Sequence, residues 1–505
     1  MGVFGRKREV GAPHPRQEPV FGAPLCLSAL EGAFEHCVDF KTRRLELAGD
    51  PQKEVILCGV EGMVRTERAN DYVLRPMAQD EALAGLPLEE CYRRLAAGGL
   101  YTMSVSPVQT TDEAVFALLD GAVVLLFPAI GKALSCAVAT EEKRSIGDPE
   151  DEPAVKAAKD SFVESVRTNT SLVRRRLRSV SLRIEEEVVG RQSRTPVDIL
   201  YLEDIAQANT VAQVKKRLRD MDVDGALDAG HLEQYLCDSL NTPFPQFLAT
   251  QRPDRLCANL LAGRVAVLVD GIPIGFLLPG TVSLFLAAEQ DRTDNWMVSA
   301  CLTALRYGAL LITLLLPAVY VAAVLFHPEM IPLPLAKSII AAKADVPFGT
   351  LFEAVMLLLS FEVIQEAGLR LPGNLGQTVS ILGGLVVGSA AVEAKIISPA
   401  VLIVIAIAGI AGYTIPSQDF AGGIRIWRLL LTLAGGVAGL LGVSLAGAVL
   451  VGHLAGLTCF EVPYLTPFAA APGEQVEGHA LFRVPIPRVK LRPASLKSRN
   501  RRNQR

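Results

Sequence analysis

The sequence predicts a soluble α/β N-terminal region of two related subdomains followed by an α-helical polytopic membrane domain. Three observations predict it. Before residue 296, charges of both signs are interspersed as on a soluble surface. Between Tyr307 and Phe460, acidic and basic residues are few and widely separated. Within the first half, a helix–glycine–hairpin pattern occurs twice in the same register. The 505 residues are 50% hydrophobic and 20% charged, an average that conceals this division.

Residues 1–24 carry basic residues with no apolar run behind them, so they do not read as a secretory signal. Arg6 breaks the myristoylation pattern. They read as a disordered N-terminus, and the soluble region is expected to be cytoplasmic.

Residues 25–140 form the first subdomain. Thr110-Thr-Asp-Glu113 has capping-box spacing, which predicts a helix ending at Gly121. The stretch DEAVFALLDG (112–121) followed by AVVLLFPAIGKAL recurs as DRLCANLLAG (254–263) followed by RVAVLVDGIPIGF. Each predicts a helix, a terminal glycine and a hairpin turning at Gly131-Lys132 or Asp270-Gly271. Upstream strands match as well, VILCGVEG (55–62) with DILYLEDI (198–205). The acidic Gly/Pro-bearing stretch 141–153 has neither period and reads as a linker. The second subdomain, 154–290, opens with a basic amphipathic helix expected over 160–177.

Asp220-x-Asp222-x-Asp224-Gly225 opens like an EF-hand loop, but the twelfth position is His231 where a bidentate glutamate belongs. A helix-ending turn before a new helix is the expected structure. No P-loop, dinucleotide fingerprint, nucleophile elbow or zinc spacing occurs. The chain is therefore expected not to be an enzyme and to need no cofactor and no metal. Its nine cysteines are scattered and read as reduced core residues. Net charge is −3, and no basic-aromatic pattern points to nucleic acid.

Residues 291–460 form the membrane domain. Crossing ~30 Å of hydrocarbon takes about 20 apolar residues. Tyr307 to Phe326, Leu371 to Val392 and Ile396 to Gln418 are uncharged, and Leu429 to Phe460 is long enough to tilt or to end early near His453. Gly271 to Ala288 and the Glu-bearing 347–367 segment leave the span count open. Small residues recur four apart at Gly384 and Gly388, Ala408 and Gly412, and Gly435 and Gly439, as in close helix-packing seams or simply as in glycine-rich membrane helices.

Ionised groups in hydrocarbon are costly and normally face a cavity, pore or partner. Glu362, Glu366 and Arg370 stand at i, i+4 steps on one helical face, with Glu353 half a turn round from Glu362. Glu366 and Arg370 can pair, leaving Glu362 for water or a cation. These four are the candidate polar-interior or pore residues; an amphipathic helix on the bilayer surface is the alternative. Glu393 and Lys395 sit between apolar runs. Residues 461–505 read as a basic cytoplasmic tail, because Arg483 to Arg505 holds nine Lys or Arg and no acid, suited to anionic lipid headgroups.

Several stretches carry a resemblance: RTNTSLVRRRL (167–177), MDVDGALDAGHLE (221–233), GRVAVLVDGIP (263–273), FHPEMIP (326–332), SFEVIQEAGLRLP (360–372), GQTVSILGGLVVGSAAVEA (376–394), TIPS (414–417) and VPYLTPFA (462–469). Together they resemble the A subunits of the GerA family of bacterial spore germination receptors. The resemblance implies a subunit of a nutrient germinant receptor in the spore inner membrane, working with a transporter-like B subunit and a lipoprotein C subunit. It implies a homo-oligomer that releases cations as a channel. A non-conducting scaffold, or an accessory subunit of the dipicolinic acid release channel, is the alternative. The family usually has a basic residue where this chain has Gln365, and a glutamine where it has Ser389. The first subdomain is only weakly similar.

Overall fold

The computed structural model describes residues 24–102, 104–139, 152, 156–226, 228–370, 388–468, 484–485 and 489–503. The expected disordered N-terminus lies outside them apart from residue 24, as do the 141–153 linker apart from Glu152, Gly384 and most of the 371–392 apolar run. Two compact units divide the chain, residues 1–144 with 170–185, and residues 145–169 with 186–505.

The first sheet contains β1 (Phe40–Glu46), β2 (Glu54–Val60), β3 (Val105–Val108), β4 (Val123–Phe127) and β5 (Lys132–Cys136), in the order β1-β2-β4-β5-β3. Side chains alternate across a strand, so β2 and β4 feed two cores. Ile56, Cys58, Val60, Val124 and Leu126 pack with Ala114, Val115 and Leu118 of α1 (Thr111–Leu119), while Val55, Val123, Leu125 and Phe127 pack with Val73, Met77 and Leu95. The cap of α1 is as expected at Thr110, whose hydroxyl accepts from the Glu113 amide at 3.2 Å. The Glu113 carboxylate reaches one residue further than a capping box, to the Gln109 amide at 2.8 Å.

The basic helix is shorter than predicted. In α2 (Val166–Arg176) the chain becomes helical only after residues 160–165. Its arginine run is not a solvated face: Arg174 is fully buried, with Nε and Nη2 donating to the two carboxylate oxygens of Asp39 at 3.0 and 2.9 Å.

The second sheet contains β6 (Leu182–Val189), β7 (Thr195–Leu202), β8 (Leu248–Thr250), β9 (Val265–Val269) and β10 (Gly275–Leu278), in the order β6-β7-β9-β10-β8. Shifting each strand number of the first sheet by five reproduces this order, so the sequence repeat is a topological repeat. Between α3 (Ala208–Arg219) and α4 (Ala229–Leu236), the EF-hand-like stretch is a turn. Asp222 is held by Arg191 at 2.7 and 2.9 Å, and Asp228 caps α4. The matching helix α5 (Pro253–Ala262) ends at Gly263, whose φ of +103° is the left-handed cap the repeat predicts. Gly271 to Ala288 is no span: Phe276, Leu277 and Leu278 are apolar because both faces of β10 are covered.

The helical part contains α6 (Trp296–Phe326), α7 (Leu333–Lys343), α8 (Thr350–Arg370), α9 (Pro399–Gly412) and α10 (Gln418–Gly456). Helices α6 and α10 are long and apolar enough to cross a membrane. The expected single last crossing is corrected, because α10 is folded back on itself. Ala438 (φ −127°, ψ 17°) and Gly439 (φ 61°, ψ −145°) break it into arms 418–437 and 440–456. At ~1.5 Å per residue those arms are roughly 30 and 25 Å long. Phe420 near one end and His453 near the other both lie against Phe244, with ring centroids 5.7 and 6.3 Å away. Trp427 and His453, which a straight helix would hold ~39 Å apart, are 6.3 Å apart.

After α10 the chain returns to the second subdomain. Cys459 and Phe460 join its core, and Phe460 lies under the Arg217 guanidinium at 4.4 Å. Residues 489–503 are not a free basic arm. The Arg492 Nε donates to Leu261 O at 2.7 Å, the Arg499 amide donates to Ile205 O at 2.9 Å, and Ser498 lies against Gly263.

Candidate functional site

Helix α8 carries two charged centres on opposite sides, as a spacing of nine residues at ~100° each requires. Near its start Glu353 is fully buried. One oxygen accepts from the Ser398 amide at 2.8 Å; the other is 3.5 Å from Lys343 Nζ, which also contacts Thr350 Oγ1. Ser398 immediately precedes α9, so a carboxylate sits where the helix dipole favours negative charge. Glu353 therefore ties α7, α8 and the N-terminus of α9 together.

Two and a half turns later, Glu362 meets the first arm of α10. Its two oxygens receive Arg425 at 3.0 Å and Arg428 at 2.7 Å. Arg425 Nη1 also donates to Gln365 Oε1 at 3.0 Å. Arg428 is almost wholly buried, whereas Glu362 and Arg425 are each one-third exposed. One carboxylate thus holds two guanidiniums, and the cluster carries an excess positive charge. Beside it lies a cavity of about 300 Å³, walled by Leu358, Leu359, Ile426 and Leu429 and reached by both arginines.

The cluster differs from the expected arrangement, in which Glu362 was left for water or a cation. Helix α10 delivers two arginines to it from more than sixty residues away. Glu366 is exposed one turn further along; the Arg370 side chain lies outside the described residues. Arg425 and Arg428 stand just before the uncharged run from Leu429, and their i, i+3 spacing puts them on one helical face. Gln365 was noted only as a departure; here its neutral oxygen serves Arg425, where a basic side chain would meet like charge.

Small residues set the helix contacts. A Cβ on Gly435 would come 2.7 Å from Ala318 O of α6, and one on Gly388 would come 3.3 Å from Leu402. Gly439 belongs to a turn, not a straight seam, and lies against Phe326 and His327. Gly442, not singled out in the sequence, lets the arms of α10 touch at Ala434. Among the described residues, no group of three or more His, Cys, Asp or Glu is arranged to hold a metal.

Comparison with known proteins decides the family. The profile of the Bacillus/Clostridium GerA spore germination protein matches residues 28–495. The chain belongs to the GerA family. GerA-family relatives include spore germination protein B1 of Bacillus subtilis (strain 168), 34% identical over 88% of this chain and 91% of that protein. Spore germination protein GerLA of Bacillus cereus is 35% identical over 92% of this chain and 93% of that protein. The N-terminal domain of the A subunit of the Bacillus megaterium spore germinant receptor GerK3, solved by crystallography, is also similar, with 27% identity and a TM-score of 0.39 over 50% of this chain and 92% of that chain. This GerA-family chain is accordingly a spore germination protein, and among its described residues two helices are long and apolar enough to cross a membrane.

Proposed function

We propose that this chain is the A-type subunit of a nutrient germinant receptor in the spore membrane, coupling germinant sensing by a transporter-like B subunit to cation release through a homo-oligomeric channel. A lipoprotein C subunit completes the proposed assembly. The observation that carries the reading is the Glu362–Arg425–Arg428 cluster, a group of charges between α8 and α10, the second of which is apolar enough for a bilayer. In this reading the ion pairs hold α8 to α10 in a closed state. Opening separates them and frees Glu362, with Glu366 beyond it, to face the cation path.

The proposed topology places α6, α8, the 371–392 run, α9 and the two arms of α10 as six crossings. An even number returns the chain to the side it left. This is supported by α6 and both ends of α10 lying against the second subdomain, where Arg306 donates to Leu286 O and Phe244 meets Phe420 and His453. Arg306 in the first half of α6, and Arg425 and Arg428 just before the uncharged run of the first arm of α10, support a cytoplasmic side. The proposed boundaries are 25–140 and 154–290 for the subdomains and 291–460 for the membrane domain.

Glu362→Gln tests the coupling role. Spores holding normal levels of the variant are expected to depart from the wild-type rate of cation release and germination, faster where the lost closing ion pairs dominate and slower where the lost charge in the cation path does; a wild-type rate sinks the proposal. The second reading, a non-conducting scaffold, is favoured by the full neutralisation of Glu362. Absence of conductance from reconstituted protein under every gating condition would select it.

A further inference from the structure

The Glu362 cluster also has the features of a site for a phosphate group. Its two arginines share one carboxylate within ion-pair distance, so one positive charge is left for a ligand. Arg425 is one-third exposed, and its Nη2 lies beside Gly422 at the cavity wall, where the lack of a side chain leaves the guanidinium accessible. An arginine fork suits phosphate oxygens better than a point charge does.

The surroundings specify the kind of phosphate. Leu359 and Ile426 are 50% and 53% exposed on the outer surface of α8 and α10, so the cavity opens beside exposed apolar side chains. Trp427 adjoins Arg428, and Tyr413, 64% exposed, ends α9. Tryptophan and tyrosine concentrate at the headgroup level of a bilayer. Phe420, little more than a turn before Arg425, already packs on the second subdomain through Phe244 and Phe285. The cluster therefore stands at headgroup depth, with apolar side chains leading away from it.

We propose that this cavity binds the phosphate group of an anionic phospholipid, Arg425 contacting the headgroup while an acyl chain lies along Leu359 and Ile426. The inference stands apart from the channel reading, because its readout is lipid binding. The chain has two tryptophans, so Trp296→Phe leaves Trp427 as a reporter beside the site. The full-length Trp296→Phe protein is reconstituted in phosphatidylcholine nanodiscs containing brominated phosphatidylglycerol or, at equal mole fraction, brominated phosphatidylcholine.

Quenching of Trp427 is expected to report roughly fivefold preferential association of the anionic lipid, the amount one arginine near an anionic headgroup supplies. Arg425→Gln should bring the ratio to about one, and Arg425→Lys should retain most of it. Unchanged quenching by brominated phosphatidylcholine shows that the variants are folded. A ratio near one in the parent, or a preference that survives Arg425→Gln, overturns the proposal. Inorganic phosphate added at constant ionic strength separates the sources: loss of the preference assigns the site to free phosphate, and persistence assigns it to lipid.

Discussion

Gly439 is the position at which the helical domain is most sensitive to a single methyl group. Its φ of 61° and ψ of −145° lie in a region that essentially only glycine occupies. Placing alanine there costs about 1–3 kcal/mol in backbone strain. A Cβ would also stand 3.0 Å from Phe326 Cβ and 3.1 Å from His327 Nε2, closer than comfortable packing, so the end of α6 must yield as well. Gly447 in the second arm is the control, because an added Cβ there has nothing within 4 Å and the residue is helical. Alanine at that site should be neutral or stabilising by up to ~1 kcal/mol. The expected separation between Gly439→Ala and Gly447→Ala is therefore roughly 1–4 kcal/mol. Unfolding of the full chain in mixed micelles, titrated with sodium dodecyl sulfate and followed by tryptophan fluorescence, measures it. Equal unfolding midpoints for the two variants would refute the hairpin, because a straight α10 has no reason to treat these glycines differently.

Two further predictions concern the first unit. Arg174 is 0% and Asp39 2% exposed, so Asp39→Ala leaves an uncompensated buried cation, at a cost of about 3–5 kcal/mol. Hydrogen exchange of the 54–60 and 123–127 amides should accelerate at least a hundredfold, while Asp39→Leu combined with Arg174→Met should recover most of the protection. Burial pushes the thiols of Cys58 and Cys136 up to about 12, with Glu31 adding to the effect at Cys58. The folded chain then keeps protons that the unfolded chain releases above ~8.5. Stability from this source is complete below that pH and is lost progressively as pH rises towards 12. Urea midpoints of the full chain should fall over that window, and Cys58→Ala with Cys136→Ala should flatten the fall.

Sequence alone determined the local periods and the elements those periods dictate. The alternation in VILCGVEG and DILYLEDI, with glycines at 121 and 263, was enough to find two related α/β subdomains. Strand period and left-handed helix ends are set by a residue's own neighbours. Uncharged length likewise located α6, because crossing hydrocarbon is a requirement on composition. Only the tertiary structure decided where buried charges find partners. Arg174 reads as one of a basic run until Asp39, 135 positions earlier, is folded against it. Glu362 reads as an unpaired acid until α10 supplies Arg425 and Arg428. It also decided that α10 is a hairpin, since Gly439 is one of many glycines in an apolar run and nothing nearby in the sequence distinguishes a turn from a packing seam. In all three cases the deciding contact joins residues far apart in the chain, and a local pattern carries no information about which distant side chain will fill the space.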